Sequence, residues 1–278
     1  VNNLEFTVLV ALGSVVAGFI GALTGLGGGV VIIPMLTLLF HVDIRYAMGA
    51  SLISVIATSS GAAAAYVKQG FSNVRVGMFL EIGTTAGAIT GAIIATHVSA
   101  TWLGVVLGLV LLYSAVARNP DEPVDSGAPP KGSLASRLQL TGSYPASPAP
   151  IQYFAQRVPL GFSLMYLAGL LSGLLGIGSG AIKVLALDRA MRLPFKVSTT
   201  TSNFMIGVTA AASAGVFLRH GFIRSGLAIP VMLGVLAGSI AGAAVLVSTM
   251  PGRLKTFFRV ILAILALEMI YDGLAGKL

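Results

Sequence analysis

Two glycine-rich stretches hold the residues of this chain best suited to chemistry. Thr24-Gly25-Leu26-Gly27-Gly28-Gly29-Val30 and Leu175-Gly176-Ile177-Gly178-Ser179-Gly180-Ala181 stand 151 positions apart, each embedded in apolar sequence. Glycines make a hydrophobic helix hard to continue, and the helix that restarts behind them offers unpaired N–H groups and the positive end of its dipole to an anion. Gly25, Gly27, Gly28 and Gly29 in the first stretch, and Gly176, Gly178, Ser179 and Gly180 in the second, are therefore candidate binding positions. Close helix packing alone is the competing explanation.

Three residues after Gly180 comes Lys183, flanked by Ile182 and Val184. A lysine costs roughly 2.5–3.5 kcal/mol to insert at the centre of a membrane helix, so it faces a cavity or a partner. Beside an anion it would neutralise charge; otherwise it snorkels to an interface or pairs with Asp188. Its counterpart 151 residues earlier is the apolar Ile32. The run Ser198-Thr199-Thr200-Thr201-Ser202-Asn203 either caps its own helix or presents donors to an oxyanion. Thr200, Thr201, Ser202 and Asn203, with Ser51 as the first-half match of Ser202, are the candidate lining.

Acids are scarce. Glu81 follows Arg75 by about two helical turns, which suits an interfacial carboxylate and a proton carrier equally. His41, His97 and His220 fall at segment ends, and no His, Asp and Glu group has metal-ligand spacing, so neither metal nor cofactor is expected. The glycine stretches do not follow a strand in a βαβ unit, which excludes a dinucleotide fingerprint. No nucleophile has an evident base nearby.

The elements that must position these residues are membrane helices. The 278 residues are 56% hydrophobic and 9% charged, with a mean hydropathy of +0.94, against roughly 25% charged in soluble domains. A net charge of +8 could point to nucleic acid, but the basic residues flank apolar runs, as orientation in a bilayer requires. There are no cysteines, so disulfides and thiolate sites are excluded. The run from Leu4 lacks a basic leader region and reads as a mature helix, not a signal peptide.

Apolar segments fall at about 4–24, 30–40, 47–67, 75–97 and 101–117, then at about 158–175, 181–191, 197–218, 225–248 and 254–272. Laying each residue on the one 151 positions later superposes Gly18 on Gly169, Ser51 on Ser202, Gly83 on Gly234 and Gly87 on Gly238 without a gap. This is an internal repeat. Five segments per half force opposite orientations. The expected fold is thus an all-α polytopic membrane protein of two inverted repeats, residues 1–117 and 158–278, with the glycine breaks near the midplane. Basic residues such as Arg75, Arg137, Arg157, Arg189 and Arg192 fall on one side and Arg45, Arg219 and Arg224 on the other, which puts both termini outside. Segment 181–191 is too short to span alone, since eleven helical residues reach about 16 Å against a hydrocarbon core of about 30 Å. Whether the first two segments of each half span or form a re-entrant hairpin stays open. Residues 118–157 are rich in proline and read as a cytoplasmic linker; 137–141 and 151–155 alternate polar and apolar, as a small hairpin or an irregular interfacial loop could.

At these residues the chain resembles the sulfite exporter TauE/SafE family, also grouped as 4-toluene sulfonate uptake permeases (TSUP). Gly25-Leu26-Gly27-Gly28-Gly29 followed by Pro34 is similar to that family's first-half motif, and Gly176-Ile177-Gly178-Ser179-Gly180 to its second. The resemblance implies inner-membrane transport of small sulfur-containing anions such as sulfite or sulfoacetate-like organosulfonates. Ser179 replaces a glycine, and Lys183-Val184-Leu185 stands where the family often has an apolar residue and a proline, so the second-half site is the more polar. The expectation is a secondary carrier with alternating access, a small anionic substrate and the bilayer as partners, Glu81 as a candidate for proton coupling, and no enzyme activity. A passive anion channel shares these features, and an intramembrane enzyme is the third reading. If one anion site exists, the second stretch holds it and the first closes against it.

Overall fold

The computed structural model describes residues 3–24, 28–68, 72–116, 132–144, 150–178, 180–248 and 252–276. Helix α1 runs Asn3–Thr24, at 22 residues about 33 Å long. Helix α2 (Gly29–Pro34) is a stub that widens into a π-helical turn, Met35–Leu39. Then follow α3 (Ile44–Lys68), α4 (Val74–His97) and α5 (Ala100–Val116). A single turn α6 (Leu134–Arg137) leads into strands β1 (Thr141–Tyr144) and β2 (Ile151–Phe154). The second set is α7 (Val158–Leu175), the stub α8 (Gly180–Leu185) with its π turn Ala186–Ala190, α9 (Phe195–Arg219), α10 (Ser225–Ser248) and α11 (Gly252–Leu274).

Elements from α2 to α4, π turn included, are repeated with both ends displaced by 151 residues in α8 to α10. Even the left-handed residue after each π turn recurs, as His41 and Arg192, both at φ 51. Pro34, which lacks an N–H, could account for the first π turn. Its counterpart Leu185 supports the same turn without a proline, so proline is not the cause.

By length and composition α4, α7 and residues Val197–Arg219 of α9 can each cross a bilayer, and α1, α2, α5 and α10 contribute shorter apolar stretches. Large apolar side chains face outward, among them Leu12, Ile82, Trp102 and Ile240, each at least 60% exposed. The architecture is that of an all-α membrane protein, with lipid as the solvent for these faces.

The two most extensive crossings are α1 on α10 and α4 on α7, each joining one half to the other. Both are backbone-to-backbone contacts made possible by glycine. A methyl group on Gly87 would lie 2.1 Å from the carbonyl oxygen of Tyr166, and one on Gly169 2.0 Å from that of Thr84. In the other crossing, Gly238 meets the carbonyl of Val15 and Gly18 that of Val235. Without a hydrophobic drive between helices in lipid, such close approach supplies the packing.

The strands pair antiparallel, Thr141 opposite Phe154 and Tyr144 opposite Ile151, and the hairpin docks on one end of the bundle. Asn73 is its anchor. The Asn73 side chain accepts from the N–H of Val76 to cap α4, and its amide donates to the Thr141 carbonyl at 3.3 Å and to the Tyr153 hydroxyl at 3.1 Å. Arg75 donates to Gln139 at 2.7 Å, and the N–H of Gln156 bonds the carbonyl of Met191 behind the second π turn. Tyr153 is buried with Leu140 and Ala155 against Val76, Leu80, Leu187 and Val197. That burial raises the Tyr153 phenol above its ordinary pKa of 10.0, and the bond from Asn73 lowers it in part.

Candidate functional site

The second glycine stretch breaks the chain by conformation. Gly176 and Gly178 adopt φ of 68° and 75°, a region open to glycine and strained for other residues. Gly176 ends α7, its N–H bonded to the Ser172 carbonyl at 2.8 Å. Gly180 then starts α8, where a methyl group would sit 2.7 Å from Ile206 of α9.

The stretches of the two halves touch. A methyl group on Gly29 would lie 2.5 Å from the Ser51 hydroxyl and 3.6 Å from the Ile177 Cα. Ser51, in turn, donates to the Gly176 carbonyl at 2.8 Å, crossing from one half to the other. Its match Ser202 donates to the Gly180 carbonyl at 3.2 Å, within its own half. Gly29, Ser51, Gly176, Gly178, Gly180 and Ser202 are therefore brought together, all buried, while Gly28, buried too, faces Val235 of α10 and Gly18 of α1. Gly25, Gly27 and Ser179 lie outside the described residues.

The hydroxyl run divides. Thr201 is turned away from the glycines and accepts the backbone N–H of Asn73 at 3.0 Å, which ties α9 to the α3–α4 turn. Thr200 bonds back to the Val197 carbonyl at 3.2 Å. Asn203 is half-buried on α9.

Lys183 neither snorkels nor pairs with Asp188. It is fully buried, and its ammonium donates to the hydroxyl of Thr209 at 2.5 Å. Thr209 stands one helical turn beyond Ile206, the neighbour of Gly180, so the lysine side chain reaches back towards the glycine break, as helical side chains lean. Thr209 lies 2.7 Å from Oε1 of Glu81 and 2.9 Å from the Met205 carbonyl. Glu81 is 5% exposed on α4 and also accepts from Thr84 and Thr85, each at 3.1 Å. One threonine hydroxyl thus bridges a carboxylate of the first half and an ammonium of the second.

Two charges removed from water cost several kcal/mol each unless paired and hydrogen-bonded. Here each has the other, through Thr209. The first half has no equivalent, since the matching residues are Ile32, Thr58 and Met232, and Thr58 bonds its own helix at the Ser54 carbonyl. Among the described residues, no three of His, Asp and Glu gather as metal ligands do.

The sequence model of the family described as "Sulfite exporter TauE/SafE" matches residues 10–269. The chain belongs to the TauE/SafE family. Its members are membrane transporters, and the curated relatives of this TauE/SafE chain carry matching names. "Probable membrane transporter protein YunE" of Bacillus subtilis (strain 168) is 28% identical over 98% of this chain and 99% of its own length. "Probable membrane transporter protein YdhB" of the same organism is 27% identical over 82% and 84%. "Probable membrane transporter protein ORF9" of Sinorhizobium sp is 22% identical over 92% and 89%. No solved structure gives a significant match.

Sequence reasoning passed over Thr209, Thr84 and Thr85 in this TauE/SafE chain. Thr209 left one trace, since it falls on Thr58 in the repeat and shares a helical face with Ser202 and Ile206. Thr84 and Thr85 left none beyond their spacing from Glu81.

Proposed function

We propose that the chain is a secondary carrier that moves small sulfur-containing anions, sulfite or organosulfonates, across the cell membrane by alternating access. The observation that carries this reading is a buried lysine, Lys183, one turn behind the point where the glycine stretches of both halves touch. A buried cation near small residues is what a compact oxyanion needs for neutralisation, and the Ser51 and Ser202 hydroxyls, which donate to the Gly176 and Gly180 carbonyls, stand at the same break for its orientation.

The halves are taken as inverted, with both termini outside and residues 118–157 cytoplasmic at the inner membrane. Contacts at the helix ends support this. The first turn of α3 meets the α9–α10 turn, where Arg224 lies 4.2 Å from the Tyr46 ring. The first turns of α9 meet the α3–α4 turn through Thr201 and Asn73. These contacts support an antiparallel arrangement of α3 and α9, the matching pair, as an inverted repeat requires. Arg75, Arg137, Arg157, Arg189 and Arg192 gather at the hairpin end, and Arg45, Arg219 and Arg224 at the other, the bias expected if the hairpin end is cytoplasmic.

The test is exchange of labelled sulfite, thiosulfate and a two-carbon sulfonate in proteoliposomes. A carrier shows saturable uptake and counterflow, and Lys183→Ala lowers both. Equal uptake by mutant and wild type removes Lys183 from the site, and non-saturating flux without counterflow makes the protein a channel.

A further inference from the structure

We propose that Glu81, Thr209 and Lys183 form a charge switch that couples anion binding to the uptake of one proton, a mechanism that rests on the carrier reading above. With Glu81 ionised, the Lys183 ammonium is engaged through Thr209 and its charge is already balanced, so an anion arriving at the glycine break meets no net positive charge. A proton on Glu81 converts the carboxylate to a neutral acid and leaves Lys183 to balance the anion. Anion and proton then travel in the same direction on the same conformational change.

Thr209 makes the exchange possible without rearranging helices. Its hydroxyl has one proton and two acceptors in reach, Glu81 Oε1 at 2.7 Å and the Met205 carbonyl at 2.9 Å. When Glu81 is a carboxylate, the hydroxyl donates to it. Once Glu81 carries the proton, the carboxyl O–H donates to the Thr209 oxygen and the threonine proton turns to Met205. No bond other than those to hydrogen is made or broken. Thr84 and Thr85 donate to the carboxylate in its ionised form, and the single proton of Thr84 can turn instead to the Leu80 carbonyl, 3.0 Å from its hydroxyl.

The other titratable groups on the elements packed around Glu81, as far as their side chains are described, lie away from it. On α4 itself Arg75 is at the start, held by Gln139, and His97 at the end, held by Ile93. Helix α7 brings Arg157 at its start and Tyr166, whose hydroxyl sits 3.4 Å from Thr90, more than two turns beyond Glu81. Asp188 and Arg189 belong to the π turn after α8, Lys196 and Arg219 to the first and last turns of α9, and Arg45 and Lys68 to the two ends of α3. Tyr153 belongs to the hairpin, bonded to Asn73. Lys183 is the charged group that the geometry presents to Glu81 through a shared partner.

The experiment uses the full chain in proteoliposomes at zero membrane potential, with labelled sulfite, thiosulfate or a two-carbon sulfonate as probe. A one-to-one coupling accumulates the anion about tenfold per unit of imposed pH gradient, acid on the side of entry, because each proton moving down its gradient carries one anion with it and a tenfold proton ratio balances a tenfold anion ratio. Glu81→Gln, a permanently neutral mimic, loses this accumulation, and its exchange no longer falls as pH rises. A second measurement needs no variant: adding the anion to weakly buffered wild-type protein in detergent takes up one proton per anion bound. Wild-type exchange without gradient-driven accumulation, or Glu81→Gln accumulating like wild type, overturns the switch and leaves the carrier standing. No exchange of any of the three anions overturns both.

Discussion

Removing both members of a buried charge pair should destabilise the protein less than the two single removals added together, and the Glu81–Lys183 pair allows the difference to be worked out. Through Thr209 the ammonium and the nearer carboxylate oxygen are at most about 5 Å apart, worth about 3 kcal/mol at an effective dielectric constant of 20. Lys183→Met leaves a carboxylate with neutral partners only, and loss of one buried partner costs about 3–5 kcal/mol. Glu81→Gln leaves the ammonium on Thr209 alone and should cost a similar amount. The double variant strands no charge, so we expect it to be about 3 kcal/mol more stable than the sum of the singles requires. Neither group can escape to solvent, since Glu81 is 5% exposed and Lys183 fully buried. The assay is thermal unfolding of purified protein in detergent, in a double-mutant cycle with all four proteins at one pH. For a chain of this size, about 2–4 °C of apparent Tm corresponds to each kcal/mol. Independent sites add within about 0.5 kcal/mol, so a coupling energy that small would refute the reasoning.

Three further outcomes are expected. Gly87→Val places atoms where a methyl group already lies 2.1 Å from the Tyr166 carbonyl, whereas Gly215→Ala meets nothing within 4 Å. The first should lose at least about 1–3 kcal/mol by overpacking, the second should be neutral or up to about 1 kcal/mol stabilising, and apparent Tm compares them. Asn73→Ala removes the cap of α4 and the bonds to Thr141 and Tyr153, for a loss of about 1–2 kcal/mol and faster proteolysis in residues 132–157. The raised Tyr153 phenol predicts hairpin docking that is fully present below pH 10.0 and lost as pH rises through the higher folded value. Tyrosinate absorbance of wild type against Tyr153→Phe reads this, and a titration unchanged by the substitution would count against it.

Much of the architecture could be read locally. Apolar runs bounded by glycine and charge mark the helices, because each helix must satisfy its own backbone within lipid. The breaks at Gly176 and Gly178 were legible for the same reason, since positive φ is a single-residue property of glycine. Lys183 also stood out, as an ion in apolar sequence.

What such a reading cannot supply is which side chain meets which across the bundle. Distance from Arg75 gave the height of Glu81 along α4 and left it between an interface and a proton pathway. Its burial follows from the glycine-lined crossing with α7 and from the packing of α4 on α9. Glu81 and Lys183 are 102 residues apart, in different halves, and Thr209 joins them only because α8 folds back on α9. Thr201, by type as good a ligand as Ser202, was turned towards Asn73 by the helical rotation between neighbours, about 100° per residue. Helix positions and glycine breaks are thus determined by local chemistry. The partners of the buried charges are decided by packing, since an ion within the membrane needs a counter-charge, a polar partner or a water-filled cavity, and only the whole fold brings one to it.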